Sequence, residues 1–426
     1  MLFRRHVPLQ SYRQLLRTPA LPTSMLLLLL SRVPLIASGI TLTLHVVGDL
    51  GRGYGAAGLA GTATMLGSAL GAPVLGRMID HHGLRPVVAL CGVTSCGYWL
   101  STPYLPYEVL LLAALPAGAL VMPAGSISRQ VIAALVPPVH RRTAFSMDQV
   151  GIELAYISGP VLAILVSTQY STSAALTGIG VANGVLAFAL WYRNPPVRSA
   201  EESALPTQRP APRSWVTGRF VAALLVATGA TFVLIGVELT TIAALRASGD
   251  VAWTGVVLAV MGVASLTGGV IYGSARRSLS QLTLMTLLVL LTLPVGLAAQ
   301  PWWLLALAVI PLNLLCAPTL AATAETISNA VPHTVRGTAM GLQDSATRLG
   351  FALGSPVVGF VLDRVEPGWG FVTAAGCGLG FAAVGAALSV RSRKRDSSAT
   401  TDQRHARRSS SKRPRLRSNQ AEKSLK

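Results

Sequence analysis

Gly76-Arg77-Met78-Ile79-Asp80-His81-His82-Gly83-Leu84-Arg85-Pro86-Val87 is a charged, glycine-punctuated stretch between two long apolar segments. Its glycines permit a tight reversal of the chain, and Asp80 is placed to meet the backbone N–H groups that open a helix. Arg77 and Arg85 flank the aspartate, so the reversal carries both signs of charge. Such a stretch belongs on the side of a membrane where Arg accumulates. The expectation is a short loop joining two membrane spans.

Working outward, the 426 residues are 51% hydrophobic and 12% charged, with a mean hydropathy of +0.55. A soluble domain carries about 25% charged residues, so this chain cannot cover a water-facing surface. Apolar runs of about 20 residues recur along it, each long enough to cross a bilayer as a helix. They exceed a barrel strand in length and lack its alternation. The fold class is therefore an all-α polytopic membrane protein. Residues 1–20 form a basic tail with Arg4, Arg5, Arg13 and Arg17, and the first span follows at 21–47. Its length and Arg32 within it argue against a cleaved signal peptide.

Further spans are expected at 54–75, 86–105, 107–136, 143–167 and 172–192, closing a first six-helix bundle over 21–192. A linker with five prolines, 193–218, should be exposed and non-helical. A second bundle over 219–390 holds spans at 219–245, 252–274, 281–299, 302–330, 337–362 and 369–390. Residues 391–426, rich in Arg, Lys and Ser, are too polar to fold and should be a disordered tail.

The formal net charge of +19 does not imply nucleic acid, because 13 of the 35 Lys and Arg fall in that last tail. With twelve spans, sixteen further arginines lie in the N-terminal tail and in the loops on the same side as both chain ends, against three on the other side. The positive-inside rule then puts both ends in the cytoplasm of a cell inner or plasma membrane. The tail can contact anionic lipid headgroups at about 1 kcal/mol per basic residue near the surface. Cys91, Cys96, Cys316 and Cys377 all lie in apolar segments without ligand-like spacing, and no metal or cofactor is expected.

The halves repeat. Thr143, Ala144 and Gly159 recur at Thr338, Ala339 and Gly354, a shift of 195. Gly58, Ser68, Gly71 and Gly76 recur at Gly255, Ser265, Gly268 and Gly273, a shift of 197. Two ordered sets with nearly equal shifts mark two pseudo-symmetric six-helix repeats.

The opening stretch resembles the signature loop of the major facilitator superfamily of secondary transporters, which joins their second and third helices. Gly76, Asp80, Gly83 and Arg85 match that pattern, His81 takes the basic place after the aspartate, and Leu84 stands where Arg or Lys is usual. The resemblance covers residues 20–390 and implies two bundles rocking about a central cavity. It implies a monomer, and it implies that Asp80 faces the start of the eleventh helix near Gly337 when the cytoplasmic side is shut. Gly151, Gly159 and Pro160 partly match a motif of drug–proton antiporters that shapes the fifth helix near the interface between halves.

Ionisable groups at membrane depth mark function or locked ion pairs. Similar depth suggests the pairs Arg32–Glu153 and Arg129–Asp148, with Glu325 near Asp344 and Arg348 in the second half. Arg32, Glu153, Arg348, Glu238 and Asn313 are candidates for proton coupling or the substrate cavity. Gly76, Asp80, Gly83, Arg85, Arg129, Asp148, Glu325 and Asp344 are candidates for a cytoplasmic gate. No phosphate loop, dinucleotide fingerprint or nucleophile elbow is present, so no enzyme is expected. The reading is proton-coupled efflux of a small organic compound, drug-like molecule or metabolite. An importer of a sugar or other metabolite, and a transport-inactive sensor or assembly partner, stay open.

Overall fold

The computed structural model describes residues 12–412 apart from 14, 19, 200, 203–209, 276–278 and 299, with the backbone alone over 391–412. In lipid every backbone N–H and C=O needs an internal partner, which long apolar helices supply. Twelve helical segments follow one another: α1 Leu21–Leu44, α2 Tyr54–His82, α3 Leu84–Ser101, α4 Tyr107–Leu135, α5 Arg141–Gln169, α6 Thr172–Arg193, α7 Gly218–Ala247, α8 Thr254–Ser274, α9 Gln281–Thr292, α10 Trp302–Ala330, α11 Arg336–Leu362 and α12 Gly368–Lys412. Ten places in this series are long and apolar enough to cross a membrane, among the described residues, and α3 and α9 are the shorter two.

The two sets of six pack alike. In the first, α1 packs on α5 and α6, α2 on α4, and α3 on α6; in the second, α7 packs on α11 and α12, α8 on α10, and α9 on α12. The sets meet along α2–α11 and α5–α8, which are again counterparts. A buried apolar cluster of Leu21, Ile132, Phe145, Tyr272, Leu284 and Ala321 seals the junction at the face bearing the chain ends. That face is called the terminal face below.

Both α4 and α10 are broken. Helix α4 stops at Ala119 and resumes at Ala124; α10 consists of Trp302–Ala308, Ile310–Asn313 and Cys316–Ala330. Pro123 and Pro318 have no N–H for the carbonyls of Ala119 and Leu314, four residues earlier. Gly71 and Gly268 lie against those two freed carbonyls, and a Cβ at either would collide with the oxygen. Backbone can approach a carbonyl this closely only where the side chain is hydrogen.

Three expectations change. The charged stretch is not a loop: α2 runs on through His82, and the reversal shrinks to Gly83 at φ 80, a left-handed value suited to glycine. The linker is not wholly exposed or non-helical, since Pro212–Trp215 makes a helical turn and Trp215 is buried edge-on against Phe220. The tail is helical as far as Lys412, because no Gly or Pro interrupts it before Pro414; residues 413–426 lie outside the described ones. So do Arg276 and Arg277, the second-half counterparts of the charged stretch.

Candidate functional site

Helix α11 begins without a cap of its own, because its N-cap residue is Val335. Its first-turn N–H groups therefore need an acceptor from elsewhere. Asp80, from the other half, provides it: Oδ1 accepts from the Gly337 N–H at 2.8 Å, and Oδ2 accepts from the Thr338 N–H and hydroxyl, each at 2.8 Å. Gly76 and Gly337 make this crossing possible, each lying against the other's carbonyl where a Cβ would clash. A carboxylate on a helix N-terminus also meets the positive end of its dipole.

Other contacts between the halves surround this one. Arg129 on α4 pairs with Asp344 on α11, whose Oδ2 also accepts from the Ser126 N–H at 3.2 Å. Arg142 on α5 lies 3.7 Å from Glu325 on α10 and donates to the Ala275 carbonyl at 3.0 Å. The Thr143 hydroxyl donates to the Gly273 carbonyl at 2.6 Å, the repeat counterpart of Thr338 beside Gly76. Among the described residues, every polar contact joining the halves lies at Glu153 or between it and the terminal face.

The linker straps this closure from outside. Arg198 donates to the Asp80 carbonyl at 2.7 Å, and Arg336, the first residue of α11, makes a two-pronged pair with Glu202 at 2.7 and 3.0 Å. A cation at a helix N-terminus opposes the dipole, and Glu202 offsets it. Burial by itself would raise the Glu202 carboxyl. The Arg336 hydrogen bond, the Ser199 N–H and the charges of Arg336 and His333 outweigh burial and hold it below its ordinary range. The strap's contribution is thus complete above about pH 4.3, the unfolded value, and is lost as pH falls through the lower folded value. Replacing Glu202 by Gln should release the strap at pH 7, read as several-fold faster tryptic cleavage after Arg198. Unchanged cleavage would leave the ion pair without a latching role.

The expected charge pairs do not form. Arg32 pairs with Asp148 at 2.8 Å, not with Glu153, and Ser128 donates to the same carboxylate at 2.6 Å. Arg129 therefore reaches Asp344 rather than Asp148, and Glu325 meets Arg142 rather than Asp344 or Arg348. Equal depth does not fix which way a helical residue faces. Asp148 and Glu153 are five residues apart, about 140° around the helix, so one faces α1 while the other faces the second half.

Glu153 Oε1 accepts from the Ser265 hydroxyl on α8 at 2.7 Å and lies 3.7 Å from Cys316 Sγ on α10. It stands about 18 Å along α5 from the terminal face, near mid-membrane. Its repeat counterpart, 195 residues on, is Arg348, and that of Tyr156 is Phe351. Those two rings meet across the halves at 6.5 Å between centroids, so the pseudo-axis passes between them. Arg348 makes no ion pair within 4 Å among the described residues, and its Nε is buried without a partner. Glu238 is exposed on α7, seven residues past Thr231, whose hydroxyl bonds α11 at the Thr347 carbonyl. Seven residues place it about 10 Å further towards the opposite face.

Other candidates sit elsewhere. Asn313 is buried in the break of α10, donating to the Val309 carbonyl at 2.8 Å. Arg85 turns away from the closure to the Trp191 carbonyl on α6, at 3.2 Å. Gly151 and Gly159 fit α5 against α1, where a Cβ at Gly159 would press on Ile36 at 3.1 Å, and Pro160 lies within the same helix. Tyr156, Phe351, Ser265, Thr338 and Glu202 escape a search for charged residues inside spans. The shift of 195 alone pairs the first two.

No curated protein sequence matches the chain. Among solved structures, the human organic anion transporter MFSD10 (TETRAN) is similar at 18% identity and a TM-score of 0.68, over 86% of this chain and 98% of that one. The proton:xylose symporter XylE is similar at 14% identity and a TM-score of 0.66, over 85% and 94%. A bacterial homologue of the iron transporter ferroportin, in an outward-facing state, is similar at 15% identity and a TM-score of 0.67, over 87% and 99%. At these identities the likeness concerns the fold. The model of the Major Facilitator Superfamily itself matches residues 24–277 and 220–421, and with its two six-helix repeats the chain belongs to that superfamily of membrane transporters.

Proposed function

We propose that the chain is a secondary transporter that exports a small organic compound in exchange for protons, working as a monomer in a cell inner or plasma membrane with both ends cytoplasmic. The observation that carries this reading is the one-sided closure: the cross-half contacts gather between Glu153 and the terminal face. In this reading Asp80, Arg129, Glu325 and Asp344 form the cytoplasmic gate, with Gly76 fitting α2 to α11 and Gly83 making the turn into α3. Asp148, held by Arg32, fixes α1 against α5 beneath the cavity. Glu153 is the coupling group. It is half-buried at the junction, and its hydrogen bonds to α8 and α10 would change when the bundles rock. Substrate and proton would then compete for a carboxylate presented to one face at a time.

The test uses purified protein in vesicles with a pH-sensitive dye inside and an imposed proton gradient. Adding a transported compound should dissipate the gradient in the antiport direction, and Glu153→Gln should reduce that flux to the protein-free background. Equal flux with Glu153→Gln would remove the residue from the mechanism. Flux of substrate and proton in the same direction would turn the reading to import.

A further inference from the structure

The two crossings between the halves are counterparts, yet they are held differently. On α2–α11, Gly76 lies against Gly337 and Asp80 grips the start of α11. A shift of 197 carries Gly76 to Gly273 and Asp80 to Arg277, and a shift of 195 carries Gly337 back to Arg142. The α5–α8 crossing therefore has neither the carboxylate nor the second glycine that lets backbone meet backbone. The space beside Gly273 is taken instead by Ser146 and by the Tyr12 hydroxyl, which lie where a Cβ would stand. That hydroxyl donates to the Val270 carbonyl on α8 at 3.0 Å. Three residues on, Leu15 is 3% exposed, within the apolar cluster that joins Ile132, Ala144 and Phe145 of the first half to Tyr272, Leu284 and Ala321 of the second. Both bundles cover this leucine, so parting them would return its side chain to water. The chain reaches the junction by turning out of line with α1 at Ala20, whose φ is 64. A residue with a Cβ keeps that left-handed value only where its surroundings hold it there.

We propose that the N-terminal segment is a second latch: Tyr12 on α8 and Leu15 in the junction hold the α5–α8 crossing shut at the terminal face, in the place where the repeat has lost its aspartate. The segment has to undock before that face opens. Tyr12 and Leu15 are thus positioning residues, acting through the two bundles. The latch rests on the rocking of the halves in the transporter reading above, and not on what is carried or exchanged.

The test uses the full-length protein with one cysteine, at Ala72, in a background without the four native ones. Ala72 is buried on the other crossing, with its carbonyl against Gly341. Its alkylation by a membrane-impermeant maleimide from the terminal face therefore reads separation of the halves and not local uncovering around Leu15. Measured without substrate or gradient, labelling should accelerate about tenfold in Leu15→Ala and about threefold in Tyr12→Phe. Leu16→Ala, on the exposed side of the same turn, should label as the parent does. Ala20→Gly relaxes the left-handed turn with no contact removed, so labelling should slow about threefold. Misfolding can only speed labelling, so a slower rate in Ala20→Gly cannot come from it. Unchanged labelling in both Leu15→Ala and Tyr12→Phe would overturn the proposal. Equal acceleration in Leu16→Ala would do so too, as would acceleration in Ala20→Gly. These labelling shifts without proton-coupled flux in vesicles would defeat the exchange mechanism and leave the latch standing. Proton-coupled flux with labelling indifferent to the segment would do the reverse.

Discussion

Replacing Arg129 by Met should open the terminal face. The guanidinium pairs with Asp344 across the halves with both side chains nearly buried, and the Ser126 N–H is the carboxylate's other donor. Removing one partner of a buried pair strands the other, at about 3–5 kcal/mol. Since Arg129 and Asp344 sit on different bundles, that cost falls on the closed conformer and not on each bundle's own fold. A cysteine at Ala72, buried on α2 with its carbonyl against Gly341, reports the change in a background lacking the four native cysteines. Its alkylation by a membrane-impermeant maleimide from the terminal face should accelerate about a hundredfold or more. Adding Asp344→Leu to Arg129→Met should restore much of the closure, because the stranded charge goes with it. Additive single and double variants would show that the pair carries no coupling and that another contact holds the face shut.

The layout of the chain was open to reading because it rests on bulk properties. Apolar length marks ten of the helical segments, and a constant shift exposes the repeat. These signals average over many residues and tolerate local error. Arg32 and Glu153 were harder, since depth follows from counting along a helix while partner choice follows from rotation about its axis. An all-round apolar helix gives little sign of rotation. The charged stretch misled for a related reason. Arg77, Asp80, His81 and His82 look like a loop in water-facing terms, yet Gly76 lets α2 stay helical while its end presses on α11. The prolines that break α4 and α10 were visible, but their consequence needs a second helix: Pro123 and Pro318 free carbonyls that Gly71 and Gly268 then cover. What remains hidden in one chain read linearly is a property of pairs of helices.

The Asp80 contact gives the sharpest separation of charge from hydrogen bonding. In Asp80→Asn one oxygen can still accept from α11, while the amide NH2 is turned against an N–H or hydroxyl that needs an acceptor. The loss combines a helix cap with a charge on the dipole, about 1–2 kcal/mol in total. Labelling of the Ala72 cysteine should rise roughly tenfold, less than for Arg129→Met. Thr338→Val removes the hydroxyl but keeps the backbone N–H, so its effect should be smaller than that of Asp80→Asn. Each variant should leave the unfolding temperature of the separate bundles nearly unchanged, because Asp80 belongs to one half and its acceptor-hungry partners to the other. Transport should slow in proportion to the lost population of the closed conformer. If Asp80→Asn labels as slowly as the parent while transport collapses, the aspartate acts in proton or substrate handling rather than as a latch.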